Sequence, residues 1–140
     1  MITLPKPPSI NHIYGFTSKG GFARSYITPQ GKQWFKDATI VLKENNPFKE
    51  YPITSMVKIV IILLTKRRQD IDNVLKPLLD LLAGTCLECQ CKYSSRKDCC
   101  CGLNKSLLEN DVNVFNLEIS KRMIKKTEEE KVIIDIELLE

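Results

Sequence analysis

The stretch RRQDIDNVLKPLLD, residues 67–80, concentrates groups suited to phosphate chemistry. Asp70 and Asp72 stand one residue apart, Lys76 follows four residues after Asp72, and Arg67 and Arg68 precede them. On an extended chain, side chains at i and i+2 point the same way, so both carboxylates can reach one cation. On a helix that begins at Asp72, Lys76 stands one turn further along the same side. Mg²⁺ takes oxygen ligands and keeps several waters, so two or three carboxylates beside an open face suffice to hold it. Held there, such an ion polarises a phosphoryl oxygen and activates a water, while a lysine offsets charge on the phosphate. The same residues have a plainer reading, in which an aspartate caps a helix and the arginines neutralise it.

A second group is the cysteine-rich stretch TCLECQCKYSSRKDCCCG, residues 85–102, which holds all 6 cysteines of the chain. Cys86 and Cys89 form a CxxC, Cys91 adds a thiol, and Cys99, Cys100 and Cys101 are consecutive. Zn²⁺ favours four thiolates, and two from each group can close a small knuckle. Three consecutive cysteines do not all fit one ion, so two of Cys99, Cys100 and Cys101 would join Cys86 and Cys89, with Cys99 and Cys101 taken as the candidate pair. A disordered or redox-active loop and an insertion without a role are the competing readings. Lys92, Arg96 and Lys97 would let the loop touch DNA.

Elsewhere the chain offers scattered candidates for nucleic acid. Asn11, His12 and Tyr14 follow a proline-rich start and can meet a DNA backbone or stack on bases, and Lys19, Arg24 and Lys32 can meet phosphates. Trp34 and Phe35 recur at helical spacing and read as core, not as a stacking platform.

The elements that must position these groups follow from composition and periodicity. The 140 residues suit one domain, 1–140, with the cysteine-rich insertion at about 86–104. Net charge is +4 and the pI about 8.7, which permits a polyanionic partner without requiring one. Residues 1–60 carry 8 Lys/Arg against 3 Asp/Glu, whereas residues 61–140 carry 13 against 14, so the basic surface belongs to the first half. No apolar run is long enough to span a bilayer, and MITLPKPPS lacks a secretory pattern, which predicts a cytoplasmic, intracellular chain without a membrane partner. In a reducing compartment the cysteines read as thiols or metal ligands, not as disulfides.

Prolines 5, 7 and 8 exclude a helix at the start and predict an extended edge or loop. Gly20–Gly21 marks a turn, and RSYIT reads as a short strand. Thr28 is a candidate cap for a helix with Pro29 at its first position and Trp34, Phe35, Ala38, Val41 and Leu42 on one face, ending at NNP, residues 45–47. ITSMVKIVIILLT, 53–65, is nearly continuous in apolar character, as a central strand covered on both faces would be. A helix is predicted over 72–83, with Val74, Leu75, Leu78, Leu79 and Leu82 inward, a distorted first turn at Pro77 and a stop at Gly84. Strands are predicted over 112–120 and 132–138, joined by a hairpin or a long turn. The sum is an α/β (α+β) domain, a mixed sheet of about four to six strands flanked by two helices.

Taken together, three segments resemble a known family. DIDNVLKPLLDLL is similar to the DxDN, lysine and helix signature of the RusA family of Holliday-junction resolvases. LPKPPSINHIY, 4–14, is similar to that family's opening LPxPPSxNxxY, and LLENDVNVFNLEISK, 107–121, is similar to its segment with an acidic pair, a strand and a lysine. The resemblance covers most of the chain apart from residues 86–104. It implies a homodimeric, Mg²⁺-dependent endonuclease of DNA recombination and repair that resolves four-way junctions by paired nicks. Carried over by position, Asp70, Asp72 and Asp111 would be the metal ligands and Lys76 the phosphate-facing lysine. Separately from that carry-over, Asn11, His12, Lys19, Arg24, Arg67 and Arg68 are the candidates for contact with DNA. The chain departs from the family in having Asn110 where an aspartate is usual. Glu109, two residues before Asp111, would share its face if Asp111 began a strand. The alternatives are a zinc-dependent, non-catalytic DNA-binding module and a nuclease of other branched DNA.

Overall fold

A computed structural model describes residues 1–17, 21, 24–68, 71–91 and 99–139. Asp70 and Lys19, and the insertion's Lys92, Arg96 and Lys97, fall outside the described residues, and Asn11 and Arg24 are described by backbone alone.

The chain opens with strand β1, Ile2–Pro5, whose Ile2 and Leu4 are buried while the alternate residues are exposed. Past the prolines the backbone winds into a single helical turn, α1, Ile10–Ile13, where the proline count alone predicted extension. The prolines end at Pro8, so the turn that follows keeps all its N–H donors: the His12 and Ile13 amides both bond the Ser9 carbonyl. Strands β2, Tyr14–Thr17, and β3, Arg24–Ile27, pair antiparallel as a separate two-stranded ribbon.

Helix α2, Pro29–Asn45, begins as its sequence predicts, with Pro29 in the first turn and the Thr28 hydroxyl accepting from the Gly31 amide at 3.1 Å. Thr28 also donates to the His12 carbonyl and so ties α1 to the start of α2. Gly31 is needed for that approach, because a Cβ there would lie 2.8 Å from the Ile13 carbonyl oxygen. Trp34, Phe35, Ala38 and Leu42 are buried, and Trp34 is core as expected, its indole N–H bonding the Pro5 carbonyl at 3.0 Å.

Strand β4, Val57–Thr65, is the centre of a mixed sheet of order β1-β6-β4-β5, completed by β5, Val114–Met123, and β6, Lys131–Leu138. It is shorter than the predicted 53–65. Residues 53–56 instead form an irregular lead-in, in which Ile53 makes one isolated parallel bridge to Leu108. Val57, Ile59, Ile61 and Leu63 are fully buried, whereas the alternate residues are only half-buried. The expectation of cover on both faces therefore fails: α2 and helix α3, Asp72–Gly84, join the same core cluster and cover one face. The observed class is α+β, a mixed four-stranded sheet with two helices on one side.

The two C-terminal strands do not form a hairpin. β5 runs parallel to β4 on one side, and β6 runs antiparallel to β4 on the other, so the segment 124–130 is a long turn that crosses the end of β4. Both strands thus pair with the most apolar strand instead of each other. β5 becomes an edge, and among the described residues nothing pairs with its outer side. No helix of the described residues is long and apolar enough to cross a membrane.

Candidate functional site

Helix α3 supplies the first candidate site. Its N-cap is Ile71, in helical conformation, and among the described residues no side chain caps the helix. The extended geometry expected for Asp70-Ile71-Asp72 is thus lost at Ile71, which has already turned helical. Asp72 sits in the first turn with its carboxylate exposed and not spent on capping. A carboxylate is favoured there by the positive end of the helix dipole. Pro77 lies inside the helix and is buried beside Leu78, yet the helix continues through it to Gly84.

Asp72, Lys76 and Asp80 recur at intervals of four along α3 and share one side of it. With Leu75, Leu79 and Asp111 they line a single hollow of about 430 Å³. Asp111 is brought there by long-range closure. The Leu108 amide bonds the Leu82 carbonyl at 2.8 Å, and the Ile53 amide bonds the Leu107 carbonyl at 2.8 Å, which pins the returning chain beside α3. Asp111 then opens a 3-10 turn, Asp111–Asn113, and does not start a strand. The condition under which Glu109 would share its face is therefore unmet; Glu109 is exposed, and its amide bonds the Ile53 carbonyl. Asn110 has a structural task. Its side chain accepts from the Val112 amide at 3.2 Å while the Asn113 side chain accepts from the Asn110 amide at 3.0 Å, a reciprocal capping box.

Two residues here take roles the sequence reading did not give them: Asp80, which lines the hollow, and Tyr14, which packs against Lys76. Asp80 accepts from Lys76 Nζ at 3.1 Å and from the Tyr14 hydroxyl. The Lys76 ammonium also stands 4.4 Å from the Tyr14 ring centroid. Burial first, and then the bond to Asp80, raises the Tyr14 phenol above its ordinary pKa, so it remains a proton donor. Tyr14 is buried, which rules it out as a stacking platform for bases and makes it the wall against which Lys76 is held. The four-residue spacing of Asp72, Lys76 and Asp80 was a legible signal for Asp80.

Arg67 and Arg68 are exposed and face elsewhere. With Lys6, His12, Lys66 and Glu130 they help line a second hollow of about 770 Å³. Glu130 holds its floor, accepting from the Lys66 amide at 2.9 Å, from Lys6 Nζ at 3.0 Å and from the Thr65 hydroxyl at 2.8 Å. The Lys66 amide bond chiefly, against an opposing cost of burial and with help from Lys6 and Thr65, holds the Glu130 carboxyl down at about 2.

The cysteine insertion is built on the core. Thr85, Cys86, Leu87, Ser106, Leu107 and Leu108 are buried, and the Leu87 amide bonds the Lys105 carbonyl at 2.9 Å. The start of the insertion and the chain that leaves it are thus anchored in the core. Cys86 to Cys91 form a tight turn, closed by Gln90 N to Cys86 O and Cys86 N to Cys91 O, each 2.9 Å, with Gln90 at φ 64°. Cys99 to Gly102 form a second, closed by Gly102 N to Cys99 O at 3.0 Å, with Gly102 at φ 74°. Positive φ at these points bends each segment back, and glycine adopts it without strain. Glu88 anchors the first turn to the body through Tyr51 Oη at 2.5 Å and Lys43 Nζ at 3.2 Å.

The sulfurs of Cys86, Cys89, Cys99 and Cys101 all lie within 4.8 Å of one another, so this cluster can hold a metal ion such as zinc. Thiolates placed tetrahedrally at about 2.3 Å from zinc stand about 3.8 Å apart. Cys86 to Cys101 is 3.7 Å and Cys99 to Cys101 is 3.4 Å, close to those edges. Burial opposes the Cys99 thiolate, but the Asn104 amide at 3.3 Å and the neighbouring thiols outweigh it and bring the pKa down to about 6. Cys100, between Cys99 and Cys101, turns the other way, and its sulfur lies 2.8 Å from that of Cys91.

In comparisons with models of protein families and with curated proteins, nothing matches this chain.

Proposed function

We propose that the chain is a Mg²⁺-dependent, structure-specific endonuclease that resolves four-way DNA junctions, in recombination and repair. The observation that carries this reading is the shared hollow of Asp72, Lys76 and Asp111, residues 39 positions apart at their extremes. The three sequence segments that resemble RusA resolvases support it independently. The residues fit the ion: among the described residues neither Asp72 nor Asp111 has an ion pair, both are exposed, and hard carboxylate oxygens beside an open face suit Mg²⁺. In the proposal Asp70, Asp72 and Asp111 are its ligands. When bound, Mg²⁺ supplies Lewis-acid polarisation of the phosphodiester and an activated water.

The protein's own contribution is positioning and charge. Asp80 and the Tyr14 ring hold Lys76 on the side of α3 that carries Asp72, so the ammonium is aimed before DNA arrives. A preorganised cation stabilises the charge that develops on the phosphate and the leaving oxygen. Lys66, Arg67 and Arg68 line the basic hollow, and Asp72 lines the acidic one. A DNA strand that reaches both hollows would meet Lys66, Arg67 and Arg68 through its backbone phosphates. His12 lines the same basic hollow.

A homodimer belongs to the same proposal. β5 is an edge of ten residues, and Val112, Phe115, Leu117 and Met123 on or beside it are exposed apolar side chains. A long unpaired edge of this kind is a template for pairing with a second strand, and antiparallel pairing with its own copy would give the two-fold symmetry that paired nicks require. The four-cysteine cluster is proposed to take a structural Zn²⁺.

The test is cleavage of a synthetic four-way junction with Mg²⁺, with linear duplex of the same sequence as control and zinc content measured on the same preparation. Paired nicks confined to the junction are expected. Zinc with junction binding but no nicking would replace this reading with a non-catalytic DNA-binding module, and nicking of flaps in preference to junctions would reassign the substrate.

A further inference from the structure

The cysteine cluster has more sulfur than one ion can use. Cys86, Cys89, Cys99 and Cys101 already provide four ligands, a complete set for a tetrahedral ion. Cys91 and Cys100 are left over, yet they are not scattered. With Cys89 they form a second group whose sulfurs lie within 4.8 Å of one another, and Cys89 is the one member that the two groups share.

We propose that the six cysteines hold two zinc ions joined through the Cys89 thiolate: an inner ion on Cys86, Cys89, Cys99 and Cys101, and an outer ion on Cys89, Cys91 and Cys100. The proposal rests on the reading that the inner set takes zinc. Backbone geometry explains why the sulfurs divide this way. In the triple Cys99-Cys100-Cys101 the outer two sulfurs approach each other to 3.4 Å on the inner side, and the middle residue is directed outward. In Cys89-Gln90-Cys91 the left-handed Gln90 carries the chain around, so that Cys91 meets Cys100 from the opposite turn at 2.8 Å, and an ion bound there would part the two sulfurs by about 1 Å to reach the tetrahedral edge. Two separate turns thus deliver one leftover sulfur each to the same place, next to the sulfur that can bridge.

The chemistry favours the second ion. Each thiol gives up its proton on binding. The outer ion's two positive charges are matched by the thiolates of Cys91 and Cys100, so occupying the outer site adds no net charge to the inner one. Soft sulfur donors select zinc over the hard Mg²⁺ of the carboxylate hollow. Burial also differs in the direction expected. The inner set includes the buried Cys86 and Cys99, whereas the outer set is half-buried or exposed. The outer ion has three sulfur ligands among the described residues and a fourth position open to a different ligand, which makes it the more exchangeable of the two.

The experiment uses the full chain expressed with zinc, desalted under reducing conditions, with metal content measured by mass spectrometry. Two zinc ions per chain are expected, falling to one in Cys91→Ser/Cys100→Ser. After exchange into ¹¹³Cd²⁺, two cadmium resonances split by mutual coupling are expected, because coupling between the metals requires a shared sulfur. One ion per chain, with Cys91 and Cys100 alkylated by iodoacetamide in the native protein or joined as a disulfide, would overturn the second site and leave the four-cysteine reading intact. Two uncoupled resonances would overturn the bridge. No bound zinc at all would overturn the four-cysteine reading itself, and this proposal with it. Should the double variant fail to fold, the stoichiometry and coupling of the wild-type chain still decide.

Discussion

The carboxylate hollow and the cysteine knuckle both collect metal-binding side chains, and they differ in nearly every other respect. In the hollow, Asp72 and Asp111 are exposed, hard oxygen donors that stand apart in the sequence. In the knuckle, soft sulfurs are crowded within 4.8 Å, partly buried and held by two turns that bond their own backbones. Open oxygen sites suit an ion that must share its coordination sphere with substrate and water, whereas closed sulfur sites suit an ion that stays. Under the proposed function, the exposure and completeness of each ligand set, more than its presence, separate the working site from the structural one. The two regions are also joined in sequence, since the knuckle's second turn leads through buried Leu107 and Leu108 to Asp111.

Breaking the hollow should have the largest effect. Asp72→Asn or Asp111→Asn should lower Mg²⁺-dependent junction cleavage by about two orders of magnitude or more. Junction binding should persist or tighten, because a negative charge beside DNA has been removed, and zinc content should not change. Single-turnover cleavage, a gel-shift titration and metal analysis check the three parts. Near-normal cleavage by Asp72→Asn would remove the hollow from the mechanism.

Lys76→Ala should come next, slowing the bound complex by about a hundredfold with little change in affinity. Asp80→Asn should slow it less, because the ammonium remains and only its aim is loosened. If instead affinity collapses in Lys76→Ala while the single-turnover rate holds, the lysine docks DNA and nothing more.

The knuckle should matter to cleavage only at second hand. If it holds zinc as proposed, stripping that ion with a strong chelator and then restoring Mg²⁺ should raise hydrogen exchange at Leu107–Asp111 and lower cleavage about tenfold, through a displaced Asp111. Full cleavage with unchanged exchange would separate the two regions completely. Deletion of the insertion is a poorer probe, because Leu87 is core and would go with it.

The smallest effect is on acid stability, and it sharpens the comparison by removing a confounder. The folded Glu130 carboxyl, at about 2, lies below its ordinary 4.5. A depressed carboxyl contributes stability that is present above about pH 4.5 and lost as pH falls from there toward 2. Thiolates release zinc as they protonate over an acid range as well. In Glu130→Gln the part of the acid loss below pH 4.5 that belongs to Glu130 should vanish, leaving the part due to metal release. Thermal melts across that range, with and without added zinc, measure the difference.

Local spacing carried much of this protein. The cap at Thr28, the buried stripe of α2, the start of α3 at Asp72 and the four-residue run through Lys76 to Asp80 all lie within one or two helical turns, where periodicity and capping chemistry decide the outcome. CxxC and CCC likewise marked the cysteines that the fold gathers into a cluster able to hold a metal ion. Tertiary structure decided what no local pattern contains. Whether β5 pairs with β6 or with β4 depended on which partner buries more apolar surface, and that sent the last two strands to opposite sides of β4. Cover on one face of the sheet followed from where both helices packed. Asp111 reached Asp72 only because the chain closed from Leu82 to Leu108, across the whole insertion. The division of three consecutive cysteines between two groups is a matter of backbone direction that residue types leave open.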